Sequence, residues 1–101
     1  MISLEYAIEK VRKNNPDRIL SCVNEYEDFY AIGSYERGWD GNPDTVKIGR
    51  GYDCVYKNDG SVKIYNWIDD ELDSDKFIKQ IDIRKYLPEE DVNFLNKYVY
   101  K

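Results

Sequence analysis

The chain has 101 residues, twenty of them acidic and fifteen basic, with a formal net charge of -5 and no histidine. That length suits one domain, so a single unit over residues 1–101 is expected. The acidity argues against direct contact with nucleic acid, whose phosphates Lys and Arg must neutralise, and the missing imidazole removes Ser–His, Cys–His and His-based zinc chemistry.

Ser3 is placed to cap a helix over residues 3–14. Leu4, Ala7, Ile8 and Val11 recur at helical spacing, with Glu5 at the positive end and Lys10, Arg12 and Lys13 at the negative end. Pro16 disfavours helical geometry at Asn15 and stops the run. Residues 18–26 and 29–36, rich in Ile, Val, Tyr and Phe, read as paired strands joined at Glu27-Asp28. Apolar residues fall on both faces of this hairpin, which suits strands covered on both sides, or covered on one and binding with the other.

Arg37-Gly-Trp-Asp-Gly-Asn-Pro-Asp44 reads as a long loop. Val46 and Ile48 are candidates for a short strand within it. Trp39 is either a plug over the edge of the core or an exposed contact residue, and loops of this length in small domains often carry function. A second hairpin spans Tyr52–Lys57 and Ser61–Trp67, turning at Asn58-Asp59-Gly60. Alternation puts Val62 and Ile64 on the core, and Lys63, Tyr65 and Trp67 on the outer face. Asp69-Asp-Glu-Leu-Asp-Ser-Asp75 holds five carboxylates and no base; without it, the fifteen remaining acids equal the fifteen bases. Ser74 or Asp73 is placed to cap a short helix carrying Phe77, Ile78 and Ile81. Pro88 opens a last helix striped by Val92, Leu95 and Tyr98.

Few residues suggest catalysis. Cys22 and Cys54 lie in predicted strands, lack a metal-type spacing and read as buried free thiols, with a disulfide as the alternative. Neither has a neighbour that would plainly lower its pKa. There is no phosphate-cradling glycine motif. Asp69, Glu71 and Asp73 alternate as calcium ligands do, but Ser74 and Gln80 stand where such a loop needs Gly and Glu. Asp40, Asn42 and Asp44 fail the same test at Thr45 and Gly51. No enzyme activity, cofactor or metal is expected. No apolar run approaches the ~20 residues of a membrane span, and the first residues show no signal core. The expected compartment is the cytosol.

Two phrases resemble a family. Glu25-Tyr-Glu-Asp-Phe-Tyr30, an acidic-aromatic turn after a helix and strand, and Val55-Tyr-Lys57-Asn-Asp-Gly60-Ser-Val62, a glycine-closed hairpin, are similar to the small bacterial immunity proteins of the Imm35-like type. The hairpin phrase also resembles that of PepSY-like domains. The resemblance spans residues 4–68 and implies a bacterial, toxin-binding inhibitor with no catalytic residues.

The expected architecture is α+β: a four- to five-stranded antiparallel sheet, the first helix on one face and short C-terminal helices at an edge or on the second face. The expected function is neutralisation of a cognate protein toxin with a basic surface, such as a nuclease, by blocking its active site or substrate entry. Trp39, Tyr65 and Trp67 are the candidate aromatic anchors. Asp40, Asp69, Asp70, Glu71, Asp73 and Asp75 are the candidate acidic contacts. The alternatives are a phage-encoded acidic inhibitor mimicking nucleic acid, and a non-catalytic regulatory binding domain.

Overall fold

The computed structural model describes residues 1–39, 51–65 and 74–100. Helix α1 runs Leu4–Asn14. Its Ser3 cap is formed, with the hydroxyl accepting the Tyr6 amide at 3.1 Å, which satisfies one of the orphan donors of the first turn. At the other end the Asn15 side chain donates to the Val11 carbonyl at 2.9 Å. Between these caps Ala7, Ile8 and Val11 are buried.

The strands are β1 (Arg18–Tyr26), β2 (Phe29–Glu36), β3 (Tyr52–Tyr56), β4 (Val62–Tyr65) and β5 (Phe77–Ile81), followed by α2 (Glu89–Tyr98). They form one sheet in the order β4-β3-β2-β1-β5, every neighbouring pair antiparallel. The fold is therefore α+β, with a five-stranded antiparallel sheet, an N-terminal helix and a C-terminal helix.

On one face, Ala7, Ile8 and Val11 of α1 pack with Leu20, Val23, Ile32 and Val55 from the three central strands and with Ile83. On the other face, Tyr26, Phe29, Ala31 and Cys54 form a second cluster. Burial on both sides explains the blurred alternation of β1 and β2 in the sequence.

The expected helix carrying Phe77, Ile78 and Ile81 is instead β5, preceded by a one-turn 3-10 helix at Ser74–Lys76. The tertiary pairing overrides the local pattern, because the outer edge of β1 needs a partner and Ile81 pairs with Val23, which is fully buried. Val46 and Ile48 lie outside the described residues. Ile64, expected in the core, is 53 % exposed. It sits on the outermost strand, opposite Asp53 rather than against α1. Pro88 stands at the N-cap of α2.

Among the described residues, two irregularities interrupt the strand pairing. In β1 the register shifts between Leu20 and Cys22, leaving Ser21 as the extra residue of a bulge. In β5, Ile78 is extra where the register shifts opposite Glu25 and Tyr26. That second bulge, with Lys79 beside it, blunts an exposed sheet edge against pairing with other chains.

At the end of the sheet near the β1–β2 turn, the Lys57 ammonium is bound to Glu25 at 2.8 Å and lies 5.0 Å from the centre of the Tyr30 ring. Lys57 is only 7 % exposed, so those partners stand in for the water its ammonium has lost. Glu25→Gln will destabilise the chain by about 3 kcal/mol, because it leaves a buried ammonium without its carboxylate. Glu25→Gln combined with Lys57→Met will recover most of that loss. Urea unfolding of the three chains checks both expectations.

Candidate functional site on the tyrosine-rich sheet face

Strand alternation sends a row of rings to the face opposite α1, one from each strand: Tyr65 (β4), Tyr56 (β3), Phe29 (β2), Tyr26 (β1) and Phe77 (β5). Tyr26 stacks on Phe29 with centroids 4.9 Å apart, and Phe29 stacks on Tyr65 at 5.9 Å. Phe77 meets the edge of Tyr26 at 5.6 Å. Offset stacks and edge contacts are the favoured aromatic geometries. No apolar side chain of either helix belongs to this cluster. Phe77, at its β5 end, is 44 % exposed.

Hydroxyls run along the same row. Those of Tyr56 and Tyr65 are 3.0 Å apart. This hydrogen bond, reinforced by burial, pushes the Tyr56 phenol up to about 12. Burial also pushes Tyr26 upward, with Cys54 adding to the effect. Lys63 of β4 shares this face, and its ammonium lies 4.5 Å from the centre of the Tyr65 ring.

A second group of rings joins the sheet to α2. Trp39 stacks on Tyr35 at 5.0 Å and approaches Phe94 at 6.2 Å and Tyr98 at 6.3 Å. From the same segment, Arg37 reaches Asp91 of α2 at 2.9 Å, and Asp91 is buried.

Between the two groups lies a cavity of about 430 Å³, lined by Ser21, Cys22, Gly33, Ser34, Tyr35 and Tyr52 among others. The β1 bulge turns Ser21 and Cys22 toward it. A Cβ on Gly33 would sit 3.3 Å from both the Ser21 hydroxyl and the Tyr52 ring, so a side chain there would take up part of the space. Burial raises the Tyr52 phenol, against the opposing effect of its hydrogen bond with Asn24. The Tyr100 hydroxyl donates to the Ser21 carbonyl and ties the end of the chain to the bulge. A smaller cleft of about 270 Å³ beside the end of α1 is lined by Glu9, Arg12, Lys13 and Arg37, but Arg12 and Arg37 are already paired with Glu9 and Asp91.

The candidate residues from the sequence are not gathered into one patch. Trp39 holds the junction between Tyr35 and α2. Tyr65 belongs to the ring row, at one edge of the sheet. Asp75 is exposed in the turn before β5, at the opposite edge. Asp40, Trp67, Asp69, Asp70, Glu71 and Asp73 lie outside the described residues, as do both calcium-like spacings except for Ser74, Gln80 and Gly51. Sequence reasoning missed Tyr26, Phe29, Tyr52, Tyr56 and Phe77 as members of one face. Their signal was present in the tyrosine count and the period-two alternation, but the strand order was needed to assemble it.

Among the described residues, no group of three or more Cys, Asp or Glu side chains is placed to hold a metal ion, and no helix is long and apolar enough to cross a membrane. Comparison of the chain with protein-family models, with curated proteins and with solved structures finds no match in any of the three.

The raised Tyr56 value makes a pH prediction. A phenol with a folded pKa above its unfolded one stabilises the fold fully below the unfolded pKa of 10.0, and that contribution is lost as pH rises toward about 12. Alkaline titration of phenolate absorbance will show one tyrosine ionising near pH 12 in the folded chain. Tyr65→Phe, which removes the hydrogen bond, will lower that midpoint.

Proposed function

We propose that the protein acts by binding another protein, and that this partner is a bacterial toxin which it neutralises in the manner of an immunity protein. The observation that carries the reading is the row of five rings across every strand of the sheet, on the face away from α1. Interface energy concentrates in tyrosine and other large side chains that combine apolar area with a polar tip. A sheet face that presents Tyr56, Tyr65 and Phe77 together supplies such anchors on a rigid support.

The acidic stretch 69–75 adds the electrostatic component. Five carboxylates with no base among them suit a partner with a basic surface and speed its approach more than they tighten the final complex. The phrases at Glu25–Tyr30 and Val55–Val62 that resemble immunity proteins form the β1–β2 turn and the β3–β4 hairpin, which hold the ring row. Neutralisation then follows from occlusion: a bound sheet face covers the toxin's active site or the path to it, and no residue of this chain needs to perform chemistry.

Co-expression with the toxin domain encoded beside this gene will restore growth, and the two chains will elute together on size exclusion. No rescue and no complex would sink the reading. Within a complex, Tyr65→Ala and Phe77→Ala will each weaken affinity by about 2 kcal/mol, roughly thirtyfold. Asp75→Lys will slow association and leave dissociation nearly unchanged. Surface plasmon resonance separates these effects.

A further inference from the structure

We propose that the cavity at the β1 bulge is an anchor pocket for a tyrosine or tryptophan side chain of the bound partner; this rests on the reading that the face binds a protein. The cavity, about 430 Å³, lies within the range of about 300–1,000 Å³ that small-ligand sites occupy. It is built rather than incidental. A bulge places Ser21 and Cys22 on one wall, Gly33 leaves the opposing strand without a side chain there, and the Tyr35 and Tyr52 rings flank the space.

The lining sets the chemistry of the occupant. No charged side chain is among the described lining residues, so these residues offer a lysine, arginine or carboxylate of the partner no compensating charge. The Ser21 side chain lines the cavity while the residue is only 6 % exposed. Its hydroxyl makes one long contact, donating to the Cys22 sulfur at 3.8 Å, which leaves its oxygen lone pairs to accept. A buried hydroxyl with acceptor capacity, between two rings, fits a flat apolar group carrying one donor. A phenol O–H or an indole N–H has that combination. The pocket also adjoins the ring row through Tyr52, which packs against the second cluster, so one partner surface covers both.

Cys22 supplies the reporter. It is a half-buried thiol on the pocket wall, whereas Cys54, also outside any disulfide, is fully buried and serves as the internal reference. The full chain is alkylated with iodoacetamide in the presence of p-cresol, indole or n-butylammonium, and each cysteine is followed by peptide mass spectrometry. p-Cresol and indole will slow Cys22 about tenfold at roughly ten times their dissociation constants, as the unliganded fraction falls. n-Butylammonium will not slow it.

Ser21→Ala will weaken p-cresol binding about fivefold, the effect of one hydrogen bond. Gly33→Ala will weaken it by occupying the space, and a gain of Cys54 reactivity would show instead that this variant is unfolded, leaving Ser21→Ala to decide. An unchanged Cys22 rate with p-cresol and indole, equal slowing by n-butylammonium, or no effect of Ser21→Ala overturns the pocket. These probes need no partner. A chain that binds p-cresol yet fails to neutralise its toxin overturns the functional reading alone, and a chain that neutralises without binding p-cresol or indole overturns the pocket alone.

Discussion

Burial of the central strands on both faces is the constraint on which the rest of the structure depends. In β2, Ala31 and Ile32 are consecutive and both fully buried; in β3, so are Cys54 and Val55. Successive residues of a strand point to opposite faces, so each pair contributes to two separate cores. The α1 side is aliphatic, built from Ile, Leu, Val and Ala. The other side is aromatic, with small residues, Ala31 and Cys54, beneath the rings. Large rings over small floor residues fill the layer without overpacking it.

This division assigns different work to the two faces. The α1 face closes on itself, sealed at one end by the Lys57–Glu25 pair and at the other by the bond from the Asn15 side chain to Asp53 at 3.1 Å. The aromatic face has hydroxyls distributed through it, and the rings of its row stack on one another. A surface of that kind gains from contact with groups that supply both apolar area and hydrogen-bond partners, which is the support it lends to the proposed binding role.

Much of this was legible in the chain. Ser3, the 3.6-residue spacing from Leu4 to Val11, and Pro16 together define α1. The β-branched and aromatic runs define β1 and β2 at their observed limits, and Gly60, with φ +75°, turns the β3–β4 hairpin as its position suggested. The site was less legible, for physical reasons. β5 was hidden because the i, i+1, i+4 spacing of Phe77, Ile78 and Ile81 after Ser74 fits a helix face, and only the pairing with the edge of β1 selects the strand. The bulge at Ser21 leaves no compositional mark. Gly33, a glycine inside a strand pattern, was the one hint of an unusual local arrangement. Tyr65 was placed on the correct face by alternation, but the same logic misplaced Ile64, since alternation names a face without saying whether anything covers it.

The strand order has a kinetic consequence. β5 completes the sheet against β1, pairing Ile81 with Val23, so the last strand in sequence closes onto the first. The contact is among the least local in the chain, and its loop-closure entropy has to be met before pairing returns any energy. During synthesis, β1 therefore presents an unpaired edge until residues up to Ile81 have emerged. A chain stalled or cut before that point keeps an open strand bearing Val23, with the hazards of edge-to-edge association that the bulged, lysine-flanked β5 prevents in the finished protein.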